Sequence, residues 1–475
     1  MKRIAIIGGG ISGLSAAYAL EKERHKGVPV EYVLYEASQR LGGVLRTEHV
    51  DGCLLEAGPD SFLTEKSWAA DFCREIGLGD QLIRSNDTDR KTYILLNGQL
   101  VAIPDGLMFM VPTKILPCLL SPMFSLATKA RIFHEWFYPQ SGTTHDESVS
   151  EFVERHYGRE MVERLVEPLL SGIYGGEASQ LSVRAVLPRF VEMEAQSGSL
   201  GRAMIAARKK ATKPGEVSRK PLFTSLNSGM QQIVNGLVSR INESALRVGS
   251  TVETIRFADG EWNLFTGGAA SHFDGVIVAV PAPLAAKLIS GFSSDLAAEL
   301  GAIRYTSSIV VNLVFDQSVR SSLPPGFGFL VPRSEGKQTL AVTFVHNKFS
   351  HRAPNDQALL RCFIGGAKAN EAFTLSDEEI LRTVREELHE ILGIVSTPQL
   401  NRVYRWKDAM AQYGVGHLER MERIEGILAG IPCLALAGNA YRGIGIPDCI
   451  RSGTDAAAQV LSAVGLGQVN PAVAG

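Results

Sequence analysis

Four glycines, Gly8, Gly9, Gly10 and Gly13, are gathered near the start of the chain, and a single carboxylate, Glu36, closes the apolar run that follows. Their types and spacing suit binding rather than bond-breaking. Backbone without a side chain permits a tight turn at Gly8, close approach of a pyrophosphate at Gly10 and contact between helix and strand at Gly13. Ile11 and Ser12 lie in the first turn of the helix, where free N–H groups face an anion. A carboxylate at the Glu36 position binds ribose hydroxyls and disfavours a 2′-phosphate. The flanking elements must hold these groups in register. Ile4 to Ile7 is apolar without alternation, as in a parallel strand covered on both faces near a sheet centre. Leu14 to Leu20 reads as a helix of small residues and Val30 to Tyr35 as the second strand. Together they predict a dinucleotide-binding α/β unit.

The loop beyond Glu36 narrows the choice of dinucleotide. Ala37-Ser38-Gln39-Arg40-Leu41-Gly42-Gly43-Val44 is basic and glycine-paired, and Glu56-Ala57-Gly58-Pro59-Asp60-Ser61 follows it. These two elements resemble those of the flavoprotein amine oxidase and porphyrinogen oxidase superfamily. The resemblance implies FAD, with Arg40 near phosphate. At the other end of the chain, Gly438-Asn439-Ala440-Tyr441-Arg442-Gly443-Ile444-Gly445-Ile446-Pro447 is a glycine loop feeding a helix, with Pro447 suited to its first turn. A helix N-terminus aimed at the N1/C2=O edge of a flavin stabilises the anionic reduced ring.

Composition limits the alternatives. Lys plus Arg number 48 against 50 acids, so no global basic field argues for a nucleic-acid partner. The six cysteines form no CxxC pair, no secretory leader precedes the first strand, and His and Cys show no ligand spacing, so a reduced cytoplasmic protein without a metal centre is expected. At 475 residues, about three domain-sized units, or fewer large ones, are expected. Three segments read as returning strands of the nucleotide unit: Leu246 to Ile255, Asp274 to Pro281 and Cys433 to Ala437. The nucleotide domain is therefore discontinuous, with other parts inserted, and its ligands lie at the carboxyl ends of its parallel strands.

Ser171-Gly172-Ile173-Tyr174-Gly175-Gly176, Gly326 to Pro332, Arg405-Trp406, Ala411 to His417 and the run from Gly443 to Gly453 are similar to protoporphyrinogen and coproporphyrinogen oxidases. The resemblance implies an α/β (overall α+β) fold in three parts. A Rossmann-like FAD domain takes residues 1–85, 222–290 and 430–466; a mixed-sheet substrate domain takes 86–103 and 291–429; a helical insertion, either membrane-facing or a lid, takes 104–221. It implies oxidation of coproporphyrinogen III to coproporphyrin III in haem biosynthesis, with O₂ as acceptor and hand-over of product to a ferrochelatase. FAD contacts then fall on Gly8 to Gly13, Glu36, Ala37, Arg40, Gly43, Val44, Gly58, Pro59, Asp60, Ser61, Val252, Trp406, Gly438, Ile444, Gly445 and Ile446. Gly172, Phe327 and Leu330 fall where the family positions its substrate. Arg90 and Lys91 precede an apolar strand near the family's carboxylate-binding arginine, although Thr92 occupies the aligned position. Alternatives are a protoporphyrinogen IX oxidase, then a flavin amine oxidase or carotenoid-type desaturase, then a flavin binder without turnover.

Two segments carry further expectations. Leu107 to Val111 and Ile115 to Leu120, leading to Phe133, Trp136 and Phe137, are strongly apolar but broken by Pro112, Lys114, Pro117 and Pro122. They fall short of the roughly 20 apolar residues of a bilayer span, leaving an amphipathic patch peripheral to the inner face of the membrane, a lid, or buried helix. Arg202 to Lys220 holds seven basic residues against Glu216 and reads as a solvated loop, or as a steering patch for a polyanionic substrate. Oligomeric state is not readable from these features.

Overall fold

The computed structural model describes residues 1–138, 142, 145–211, 221–366 and 369–467. Its first sheet is built around β1 (Lys2–Ile7), whose Ile4, Ala5, Ile6 and Ile7 are all buried. β1 pairs in parallel with β2 (Val30–Glu36) on one side and with the strand Gly275–Val278 on the other. Leu246–Val248 and Leu434–Leu436 form the two outer strands, also parallel. The central position expected of Ile4 to Ile7 follows from burial on both faces. Each fully buried Ile or Leu contributes about 1.5–3 kcal/mol, and only a covered strand collects that from consecutive residues.

α1 (Ile11–His25) crosses one face with Leu14, Ala16, Ala17 and Leu20 fully buried. The C-terminal helix Ile446–Ala463 lies against it with no spacer at Gly453, where a Cβ would stand 2.0 Å from the Ser12 carbonyl oxygen. A second, seven-stranded mixed sheet is assembled from Thr92–Leu96 and Gln99–Ala102 at one edge and from strands between Tyr305 and Ala411 over the rest. Its one parallel pairing joins Gly328–Leu330 to Thr92–Leu96, in register at Leu330 and Ile94. The helix Asp377–Leu392, started by a Ser376/Glu379 capping box, covers one face through Ile380, Val384 and Leu388. Helices between Ile115 and Ala211 enclose a separate apolar cluster containing Phe152, Tyr157, Leu165 and Leu170.

Two expectations are corrected. Leu246 to Ile255 is not one strand: the parallel strand stops at Val248, and Thr254–Ala258 belongs to a different, antiparallel sheet. Gly249, at φ +71°, turns the chain between them. Leu107 to Val111 is not helical either. It forms a two-residue hairpin, Leu107–Met108 with Val111–Pro112, turned at Phe109 with φ +56°, so only Ile115–Leu120 becomes helix. Pro112 before it and Pro122 after it confine helix to that short stretch, with Pro117 tolerated in the first turn. Of the basic run, Arg202 is exposed on the helix Leu200–Ala211, and residues 212–220 lie outside the described residues.

Candidate FAD site

β1 delivers the chain to a turn that tolerates no side chain. A Cβ on Gly8 would sit 2.4 Å from the Ala279 carbonyl oxygen, and one on Gly13 would sit 1.9 Å from that of Gly8, whereas at Gly10 nothing lies within 4 Å. The open side of the turn is therefore at Gly10. No side chain caps α1 there, so its first-turn N–H groups await an acceptor. Glu36 is held at the same mouth: Oε2 accepts from Gly9 N at 2.7 Å and Oε1 from Ser38 N at 2.8 Å. Each oxygen keeps a lone pair for a further donor. Ala37 begins the loop that docks back on the turn, with Gly42 N donating to Gly9 O at 2.8 Å and an ideal Cβ at Gly43 falling 3.3 Å from Gly10 Cα. Arg40 donates to the carbonyls of Leu41, Gly43 and Leu45 and so braces this loop. Val252 is buried, in the apolar cluster that also holds Ala5 and Ile7 of β1 and Tyr35 of β2.

The second half of the site forms where the two sheets meet. Gly58, whose Cβ would stand 1.9 Å from Val44 O, opens the segment Gly58-Pro59-Asp60-Ser61. Trp406, on the strand Leu400–Ala411, donates from Nε1 to Ala57 O at 2.7 Å. Behind this segment stand Lys348, Arg352 and Arg361. Lys348 Nζ lies 3.0 Å from both oxygens of Asp60, and Arg352 Nη1 lies 3.0 Å from Glu56 Oε1. Although burial opposes ionisation, Lys348 and Arg361 hold the Asp60 carboxyl well below the usual range.

The C-terminal loop closes the site. Gly438, at φ +139°, has no atom within 4 Å of an ideal Cβ, and Gly445 begins the helix Ile446–Ala463 without a side-chain cap, Pro447 lying in its first turn. Tyr413 clasps the loop: its hydroxyl accepts from Gly443 N at 2.7 Å and donates to Asn439 O at 2.8 Å. His417 stacks on the Tyr413 ring at 4.1 Å, and Tyr305 donates to Asn439 Oδ1 at 3.1 Å. Sequence reasoning assigned no role to Tyr305, Tyr413, His417, Lys348, Arg352 or Arg361. Within the Ala411 to His417 motif, Tyr413 and His417 are the signal that the sequence carries.

Of the expected substrate residues, Gly172 and Leu330 are brought together, a Cβ at Gly172 falling 3.9 Å from Leu330 Cδ2. Leu330 and Ile444 both pack against the helical cluster. Phe327 is buried, and its backbone is held between Lys91 O and Phe344 N at 2.8 Å each. The Arg90 and Lys91 side chains are exposed, and Arg90 pairs with Asp87 at 3.4 Å. A cleft of about 800 Å³ opens one turn beyond Gly172, lined by Gly175, Gln180, Thr306, Gln412 and His417 among others.

An uncapped helix start beside an open glycine, a fixed carboxylate and a second uncapped helix start fed by a glycine loop fit an extended dinucleotide with a ring system at its far end. That defines a two-sheet flavoprotein. The profile for flavin-containing amine oxidoreductases matches residues 11–461, and the chain belongs to that family. It is an oxidoreductase, and its dinucleotide cradle makes the flavin FAD. The chain is similar to the coproporphyrinogen III oxidase of Bacillus subtilis (strain 168), with 34% identity over 465 residues, 97% of this chain and 98% of that one. It is also similar to the enzyme of the same name from Mycobacterium tuberculosis (strain ATCC 25618 / H37Rv), with 33% identity covering 97% of each. A crystal structure from Exiguobacterium sp. 255-15, provisionally named a protoporphyrinogen oxidase, superposes with TM-score 0.87 at 32% identity over 98% of both chains.

Proposed function

We propose that this chain oxidises coproporphyrinogen III to coproporphyrin III. Six hydrogens leave the macrocycle in three two-electron rounds, and three O₂ become three H₂O₂, so atoms and electrons balance. The observation that carries the reading is full-length similarity to coproporphyrinogen III oxidases from distinct bacteria, supported by an apolar border at Gly172, Leu330 and Ile444 suited to a flat macrocycle.

Bound FAD supplies hydride acceptance and passage of electrons to O₂. The chain's own residues place and shield. Gly172 leaves room for the ring edge, Leu330 and Phe327 present apolar surface, and Arg90 and Lys91, at the start of the strand beside Phe327, attract the substrate's carboxylates. Backbone N–H groups at Ile11 and Ser12 hold the pyrophosphate, and Glu36 holds the ribose. The helix beginning at Ile446 directs its positive end at the flavin ring. Product passes to a ferrochelatase. Among the described residues no helix is long and apolar enough to cross a membrane. Exposed Leu116, Leu120, Leu126, Phe133 and Phe137 on the helices Ile115–Leu120 and Leu126–Phe137 support peripheral contact with a bilayer.

Anaerobic addition of coproporphyrinogen III should bleach the bound flavin and generate porphyrin fluorescence on admission of O₂, while amines do neither. Absence of bleaching by any porphyrinogen would overturn the reading. Protoporphyrinogen IX is the second reading, favoured by the Exiguobacterium structure and by 29% identity to the chloroplastic protoporphyrinogen oxidase 1 of Spinacia oleracea. A kcat/KM for protoporphyrinogen IX above that for coproporphyrinogen III would decide for it.

A further inference from the structure

Three cations and two carboxylates are buried together where the large sheet meets the Glu56 to Ser61 segment. Arg352 is 1% exposed, Arg361 4% and Lys348 8%, and Glu56 is 5% exposed. Arg352 pairs with Glu56 at 3.0 Å; Lys348 and Arg361 both pair with Asp60, at 3.0 and 3.7 Å. Among the described residues, Glu56 and Asp60 are the carboxylates in ion-pair contact with these cations. Counted with all five groups ionised, the cluster carries one formal positive charge in excess. A buried charge without a counter-charge is costly, and the shortage is visible in the hydrogen bonding too: Nε of Arg352 and Nε of Arg361 have no acceptor. Both guanidiniums otherwise spend their donors well, Arg352 on Glu56, Ser225 and Leu226 O, Arg361 on Gly58 O. The cluster is thus anchored to the backbone of Gly58 and to the carboxylate of Asp60, the most exposed of its five members at 15% of its side chain.

We propose that the missing negative charge is that of the reduced flavin, and that Lys348, Arg352 and Arg361 set the cofactor's redox poise by favouring its anionic two-electron-reduced form. This rests on the reading that Gly58 to Ser61 lies against the flavin. Two electrons entering the ring with one proton leave it with one net negative charge, which brings ring and cluster together to neutrality. The group acts at a distance, through charge fixed in a low-dielectric wall, and takes no proton itself.

The holoenzyme alone provides the first test. Its midpoint potential, measured anaerobically against reference dyes without porphyrinogen, should fall by about 30 mV per pH unit, the slope for two electrons and one proton, where uptake of two protons gives about 59 mV. Charge variants supply the second. Lys348→Met and Arg361→Gln should lower the potential by about 30 mV or more, a tenfold shift for a two-electron couple, while Asp60→Asn should raise it by a similar amount. Damage to packing would move all three in one direction. Where Asp60→Asn does not fold, Glu56→Gln takes its place. A two-proton slope, or shifts of one sign across cation and carboxylate variants, would overturn the proposal while leaving the porphyrinogen reading intact. Failure of the wild-type chain to retain FAD would instead sink the placement on which it rests.

Discussion

Replacing Gly453 with alanine adds one methyl group at the contact that joins the two ends of the chain. An ideal Cβ there stands 2.0 Å from the Ser12 carbonyl oxygen and 2.9 Å from its carbon, whereas Cβ contacts below 3.0 Å essentially do not occur. The C-terminal helix must back away from α1 by about 1 Å, because the obstacle is backbone and cannot rotate aside. Overpacking of this kind costs about 1–3 kcal/mol, against a gain of up to about 1 kcal/mol from replacing glycine inside a helix. Gly426, exposed on the helix His417–Leu428 with nothing within 4 Å of its Cβ, supplies a matched control in which only the gain applies. The two variants should differ by about 2 kcal/mol in urea unfolding, Gly426→Ala being the more stable. Because Ser12 sits in the first turn of α1, the displacement also disturbs the pyrophosphate cradle, and Gly453→Ala should bind FAD at least about tenfold more weakly, a loss of about 1.4 kcal/mol. Equal stability of the two variants together with unchanged FAD affinity would refute the reasoning.

Glu36→Ala removes the two acceptors proposed to hold the ribose and should weaken FAD binding about 10- to 100-fold by flavin fluorescence titration, since hydrogen bonds to a charged group contribute about 1.5–3 kcal/mol. Trp406→Phe deletes the bond to Ala57 O and should cost about 1 kcal/mol of stability and shift the flavin absorption envelope; an unchanged spectrum would separate Trp406 from the ring. His346, 2% exposed, has its pKa lowered from 6.5 to about 4 by burial and by Arg320. The unfolded chain therefore binds the proton first. Its contribution is fully present above pH 6.5 and is lost as pH falls towards 4, about 3 kcal/mol in all. Unfolding free energies of the wild type and His346→Gln between pH 7 and pH 4 should converge by that amount.

Legibility tracked the distance over which each cause acts. The strand Ile4 to Ile7, the turn Gly8 to Gly13 and the position of Glu36 are adjacent causes, and periodicity with glycine spacing sufficed for them. Gly58 to Ser61 and Gly438 to Ile446 were found as motifs because their glycines answer to local backbone demands. The run from Leu246 to Ile255 misleads because both of its strands are β-type in composition, and only pairing partners elsewhere decide that the parallel strand ends before Gly249. Leu107 to Val111 carried no period by which a hairpin could be told from a helix. The Glu56, Asp60, Lys348, Arg352 and Arg361 group was invisible, since its ion pairs link residues 288 and 296 positions apart and a charge in sequence does not say whether it will be buried. Tyr413 was similarly silent, its role being set by a loop 26 and 30 residues later.

The parallel sheet around β1 takes its five strands from the beginning, the middle and the far end of the chain, the last being Leu434–Leu436. During synthesis the supporting edge of the glycine turn and the helix that abuts Ser12 emerge more than 400 residues after the turn itself. Closing loops of that length costs entropy before any contact repays it. A nascent chain therefore has no finished cradle for FAD, and cofactor capture becomes a late event that reports completion. Free FAD, binding the finished form and not its precursors, would pull the folding equilibrium forward.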